Sequence, residues 1–103
     1  MLKMVSDRRE QIAELCRRHE VRRLHVYGSV ARPQPGETPN DIDLLVEFAP
    51  MPPSKHADCY FSLLENLESL LPLPIDLVEL EPIQNPYLRA AIEATKLPLY
   101  EAA

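Results

Sequence analysis

The chain of 103 residues has no tryptophan, two glycines, two cysteines and only 6% aromatic residues. It has no apolar run long enough to cross a bilayer, so a transmembrane helix is not expected. The first residues, Met1 to Arg9, lack the apolar core of a signal peptide, so a cytoplasmic protein is expected. Cys16 and Cys59 lie far apart without a metal-ligand spacing, and both read as reduced, small, buried hydrophobes. An excess of positive charge is also missing. The net charge is −5, which does not favour binding to nucleic-acid phosphates. With glycine so scarce, eleven prolines supply most of the punctuation.

What is present fits one compact domain over residues 1–103, with 46% hydrophobic and 26% charged residues. There are no internal repeats and no linker. Charge is unevenly placed: residues 1–30 carry seven Lys/Arg against four Asp/Glu, and the remainder is strongly acidic. The basic part suits a phosphate ligand or an acidic partner.

Asp7 is placed to cap a first helix, with Glu10 three residues on, and Ile12, Leu15, Cys16 and His19 recur at helical spacing. From Val21 to Tyr27 the pattern is that of a strand, with Leu24 and Val26 on one face and His25 and Tyr27 on the other. Gly28-Ser29 ends this strand and a short helix begins at Ser29. A loop with three prolines over 33–40 leads to a second strand, from about Asp41 to Phe48. A further proline-rich connection, 49–55, precedes a helix from about Ala57 to Leu71, with Tyr60, Leu63, Leu64, Leu67 and Leu71 on one stripe. Ile75 to Leu80 reads as a third strand. Asn85 and Pro86 open a last helix, and Leu97 to Tyr100 reads as a short closing strand. The expected fold is therefore α/β (α+β), in the order α-β-α-β-α-β-α, with helices packed on a small sheet.

Chemistry concentrates at three strand positions. The first strand ends in Gly28-Ser29. The second carries Asp41 and Asp43, alternate residues that point to one face. The third carries Asp76 within Ile75-Asp76-Leu77-Val78. A carboxylate that interrupts an apolar strand is costly unless it is paired or binds a cation. Paired oxygen ligands suit magnesium, whose shell is commonly completed by substrate phosphates. A small-residue turn beside such a pair points to nucleotide chemistry.

These segments resemble the minimal nucleotidyltransferase family of the DNA polymerase β-like superfamily. The resemblance rests on Tyr27-Gly28-Ser29-Val30-Ala31-Arg32, on Asn40-Asp41-Ile42-Asp43-Leu44-Leu45-Val46-Glu47-Phe48 and on Ile75-Asp76-Leu77-Val78. It extends to the first helix and to Leu99-Tyr100-Glu101, nearly the whole chain. The chain departs from the family pattern at Pro33, where glycine is common, at Asn40, where serine is common, and in a loop one residue longer before Asp41.

The resemblance implies a polymerase β-like core with a small mixed sheet. It assigns Asp41, Asp43 and Asp76 as catalytic residues and as ligands of two Mg²⁺ ions, with ATP as the substrate. Gly28, Ser29 and Arg32 are implied at the nucleotide phosphates, and Asp76 is implied as acceptor of the attacking hydroxyl's proton. Larger relatives carry a second domain for the acceptor, for which this chain has no residues left. Minimal members pair with a HEPN-domain toxin, an RNase, as a hetero-oligomer. They act as its antitoxin by transferring AMP to a toxin tyrosine. That activity is the expectation here. Two alternatives are an antitoxin that neutralises by binding alone, and nucleotidyl transfer to a small molecule.

Other polar residues carry ordinary readings. His19, His25 and His56 lack ligand-spaced partners, Tyr27 and Tyr60 are expected to pack, and Arg17, Arg18, Arg22 and Arg23 form a solvated basic face.

Overall fold

A computed structural model describes residues 1–80 and 84–103. A four-stranded mixed sheet runs in the order β3-β2-β1-β4. Its strands are β1 (Val21–Tyr27), β2 (Ile42–Phe48), β3 (Ile75–Glu79) and β4 (Leu97–Glu101). β1 is antiparallel to both β2 and β4, while β2 and β3 are parallel. The parallel pair needs a crossover, which is supplied by the helix α4 (Pro53–Leu70). The remaining helices are α1 (Lys3–Ser6), α2 (Arg9–Arg18), α3 (Gly28–Ala31) and α5 (Pro86–Thr95).

Strand alternation sorts the sheet into two faces. Leu24 and Val26 from β1, Ile42, Leu44 and Val46 from β2, and Leu77 from β3 pack with Ile12, Leu15 and Cys16 of α2 and Leu63 and Leu67 of α4 in the main core. The opposite face carries a smaller cluster, Tyr27, Leu45 and Ile92, with Val78 and Leu88 against it. Only α5 covers that second face among the helices whose residues join these clusters. Asp43 of β2 and Asp76 of β3 lie on that second face, and the Asp76 side of it is exposed.

Several local expectations are corrected. Asp7 does not cap the first helix. Its backbone is itself helical (φ −69°, ψ −16°), and its N–H closes α1 onto the Lys3 carbonyl. An N-cap needs extended backbone, so the capping box with Glu10 cannot form. α2 instead starts after Arg8 with no side-chain cap. α4 begins at Pro53, four residues before the expected start, because proline at the first helical position loses no hydrogen bond. Asn85 does cap α5, its side-chain oxygen accepting from the N–H groups of Tyr87 and Leu88. Glu20 follows α2 with φ 56°, a left-handed position that usually holds glycine. Cys16 is buried, and its thiol is pushed up to about 12 by that burial, but Cys59 is only half-buried. Among the described residues no helix is long and apolar enough to cross a membrane.

Candidate active site

The register of the sheet assembles the site. Tyr27 of β1 is the partner of Asp43 in β2, and Asp43 is the partner of Asp76 in β3. Residues 27, 43 and 76 thus form one row across three strands, on the face opposite the main core. Asp41 is exposed and lies just before β2, which begins at Ile42 and not at Asp41. Ile42 N–H donates to the Pro74 carbonyl (2.9 Å), so the chain ahead of β3 is tied to the start of β2.

Asp41 and Asp76 act on the carboxylate between them. Asp43 is half-buried, and its pKa rises from 3.8 to about 6 through burial first, then the charges of Asp41 and Asp76. Tyr27 feels the same field. Its hydroxyl is pushed up to about 12 by burial and then by Asp43, Asp76 and Asp41. Among the described residues no three His, Cys, Asp or Glu side chains converge into a ready-made metal cluster. The carboxylates of Asp41, Asp43 and Asp76, exposed or half-buried, nevertheless have the donor chemistry a hard divalent cation takes, with the shell completed by substrate oxygens. On that ground the residues present fit magnesium.

The turn after β1 stands against the middle carboxylate. Gly28 has φ +71°, and a Cβ on it would lie 2.9 Å from Asp43 Oδ2. Glycine here satisfies the backbone and leaves room for the carboxylate. α3 carries the half-buried Ser29 and is followed by Arg32, whose N–H donates to the Gly28 carbonyl (3.0 Å). Arg32 is exposed, and its side chain makes no ion pair among the described residues. The structure therefore brings Gly28, Asp43 and Asp76 together directly, with Asp41, Ser29 and Arg32 on adjoining turns.

One residue of the site carries no sequence signal. The hydroxyl of Thr95, the last residue of α5, accepts from the Gly28 N–H (2.9 Å). A threonine ending a helix looks ordinary, and only the packing of α5 reveals this contact.

The remaining polar residues lie away from the row. His25 faces a cleft of about 340 Å³ shared with Arg23, Glu47, Lys96 and Glu101. Its pKa is lowered by burial and by the Lys96 and Arg23 charges. His19 is structural: Nδ1 donates to the Leu15 carbonyl (2.7 Å), leaving Nε2 to accept from the Ser62 hydroxyl (2.9 Å). His56 bonds Glu79, and Tyr60 donates to the Leu77 carbonyl (2.6 Å). On the basic face, Arg17 pairs with Glu14, and Arg22 and Arg23 with Glu47.

The profile of the nucleotidyltransferase domain family matches residues 8–97. The chain belongs to this family. It is a nucleotidyltransferase. Among curated relatives, two proteins of Methanocaldococcus jannaschii are provisionally assigned as protein adenylyltransferases. MJ1379 is 34% identical over 91 residues, covering 81% of this chain and 89% of the relative. MJ0128 is 37% identical over 79 residues, covering 77% and 76%.

Solved structures agree on the fold of this nucleotidyltransferase. A provisionally assigned minimal nucleotidyltransferase superposes with a TM-score of 0.64 at 34% identity, covering 93% of both chains. A toxin–antitoxin structure with AMP-PNP superposes with a TM-score of 0.67 at 22% identity, covering 91% of this chain and 73% of that one.

Proposed function

We propose that this nucleotidyltransferase transfers AMP from ATP to a tyrosine hydroxyl of a HEPN-domain toxin, and so serves as the antitoxin of the pair. The observation that carries the reading is the Asp43–Asp76 pairing beside the Gly28 turn, with Asp41 close enough to raise the proton affinity of Asp43. Relatives assigned as protein adenylyltransferases support AMP as the transferred group. A toxin–antitoxin neighbour with AMP-PNP supports a toxin partner and a nucleotide substrate. The HEPN identity and the tyrosine acceptor come from the family resemblance. We take residues 1–103 as one minimal domain acting in the cytoplasm.

In this reading Asp41, Asp43 and Asp76 hold magnesium, which supplies charge stabilisation at the attacking and leaving oxygens. Ser29 hydrogen-bonds a phosphate oxygen at the turn that Gly28 keeps open. Arg32, unpaired among the described residues, reaches phosphate charge at the end of α3. The acceptor hydroxyl oxygen forms its bond to the α-phosphorus as the bond to the β-phosphate oxygen breaks. Asp76, the exposed member of the row, accepts the hydroxyl's proton, and pyrophosphate departs. Asp41 and Asp76 are exposed among the described residues, so a partner protein can present its hydroxyl to them.

Intact mass spectrometry of the toxin after incubation with the chain, ATP and Mg²⁺ tests the reading. A gain of one or more AMP units that disappears with Asp43→Asn is expected. An unmodified toxin held in an inhibited complex would replace this reading with neutralisation by binding alone. Label transferred to a small molecule instead would replace the acceptor.

A further inference from the structure

The turn that faces Asp43 is tied down from three directions. Its far end is closed by the Arg32 N–H on the Gly28 carbonyl (3.0 Å). The N-terminal segment reaches it through the Leu2 N–H on the Val30 carbonyl (2.9 Å). Its leading amide, Gly28 N–H, has no capping side chain from its own neighbours, since Tyr27 makes no cap hydrogen bond. That donor is satisfied by Thr95 Oγ1 from α5, 67 residues away (2.9 Å).

The Thr95 hydroxyl both donates and accepts. Its hydrogen is donated to the Ala91 carbonyl one helical turn back (2.8 Å), while its oxygen accepts from Gly28. Donation polarises the oxygen and strengthens the bond it accepts. Bonding to Ala91 together with β-branching restricts the rotamer, so the oxygen is held where the Gly28 amide needs it.

The position matters because the space around Gly28 is tight. A Cβ there would lie 2.9 Å from Asp43 Oδ2, so any shift of the Gly28 backbone changes its clearance from the central carboxylate. We infer that Thr95 is a positioning residue for nucleotide binding: its hydroxyl anchors Gly28 and fixes the spacing between the Gly28-Ser29 turn and Asp43. This role rests on the nucleotide reading of the site.

The test compares Thr95→Val, which keeps the branched shape without the hydroxyl, with Thr95→Ser, which keeps the hydroxyl. Calorimetric ATP binding with Mg²⁺, thermal melting and hydrogen exchange at the Gly28 amide are measured on each, with Thr95→Ala as a second hydroxyl-free variant should Thr95→Val not fold. Loss of one hydrogen bond predicts ATP affinity weaker by about tenfold in the hydroxyl-free variant, with affinity restored by serine. Gly28 exchange should be fast without the hydroxyl and slow in the wild type and the serine variant. Wild-type ATP affinity in a folded hydroxyl-free variant would overturn the positioning role. So would equal weakening in the serine variant, which would mark a packing effect. A wild type that binds no ATP would overturn the nucleotide reading itself. Gly28 exchange would then still report whether Thr95 holds the turn.

Discussion

Gly28 and Asp43 compete for one space: a side chain on Gly28 would begin 2.9 Å from Asp43 Oδ2. The catalytic role proposed for the aspartate and the conformational freedom of the glycine are therefore one requirement. Gly28→Ala meets both obstacles, a left-handed φ of +71° and the carboxylate. A loss of about 1–2 kcal/mol in stability is expected from the backbone alone, read as a lower denaturation midpoint. AMP transfer should fall further than this loss explains, because Asp43 must move.

The acidic row costs the free protein stability. Asp43 has a folded pKa of about 6 against 3.8 for an unperturbed aspartate, so the folded chain holds this proton more tightly than the unfolded chain. Stability from this group is complete below pH 3.8 and is lost as pH rises through about 6. Solvent screening of a half-buried group reduces the effect to about 1–2 kcal/mol. Without Mg²⁺, Asp43→Asn should therefore melt higher than wild type at about pH 7.5, and the difference should vanish below about pH 4. Melting curves across that range check this expectation. A mutant less stable at neutral pH would show that the charge is already compensated.

The same substitution should abolish AMP transfer while leaving the fold intact. Addition of Mg²⁺ and ATP should then raise the wild-type melting temperature and not that of Asp43→Asn, since a ligand stabilises only the form that binds it. Equal shifts in both proteins would remove Asp43 from the ligand set.

Tyr27 stands in one row with Asp43 and Asp76, yet it is buried and packs with Leu45 and Ile92. Its contribution is the ring. Tyr27→Phe should keep AMP transfer within about threefold of wild type, whereas Tyr27→Ala should cost about 3 kcal/mol or more in stability. A large loss of transfer in the phenylalanine variant would give the hydroxyl a chemical role.

Glu20 occupies a left-handed position, φ 56°, after α2. Glu20→Gly should relieve about 1 kcal/mol of backbone strain. It also removes the exposed Lys55–Glu20 pair (2.6 Å), which is worth less than the strain. A net gain in chemical-denaturation midpoint is expected. A loss would show that the ion pair outweighs the strain.

Glu20 also shows what a sequence reading can follow. The strand after it was legible from Val21 because alternation switches on there, although no glycine marks the helix end. β1, β2 and the closing strand were readable in the same way, since a two-residue period is written in neighbouring residues. The capping box at Asp7 failed because its backbone had already been drawn into α1, a short helix without periodicity of its own. The start of α4 was missed because prolines normally interrupt helices, and these stand where a helix permits them.

The sequence by itself determined which residues are candidates for the chemistry. Gly28, Ser29, Asp41, Asp43 and Asp76 stand out because glycine and carboxylates break strand patterns whose meaning is local. Tertiary structure alone decided how they meet. Register places Tyr27, Asp43 and Asp76 in one row, and the return of α5 across the second face brings the Thr95 hydroxyl to Gly28. Strand pairing and that hydrogen bond depend on how distant segments pack, and a pattern of near neighbours cannot encode them.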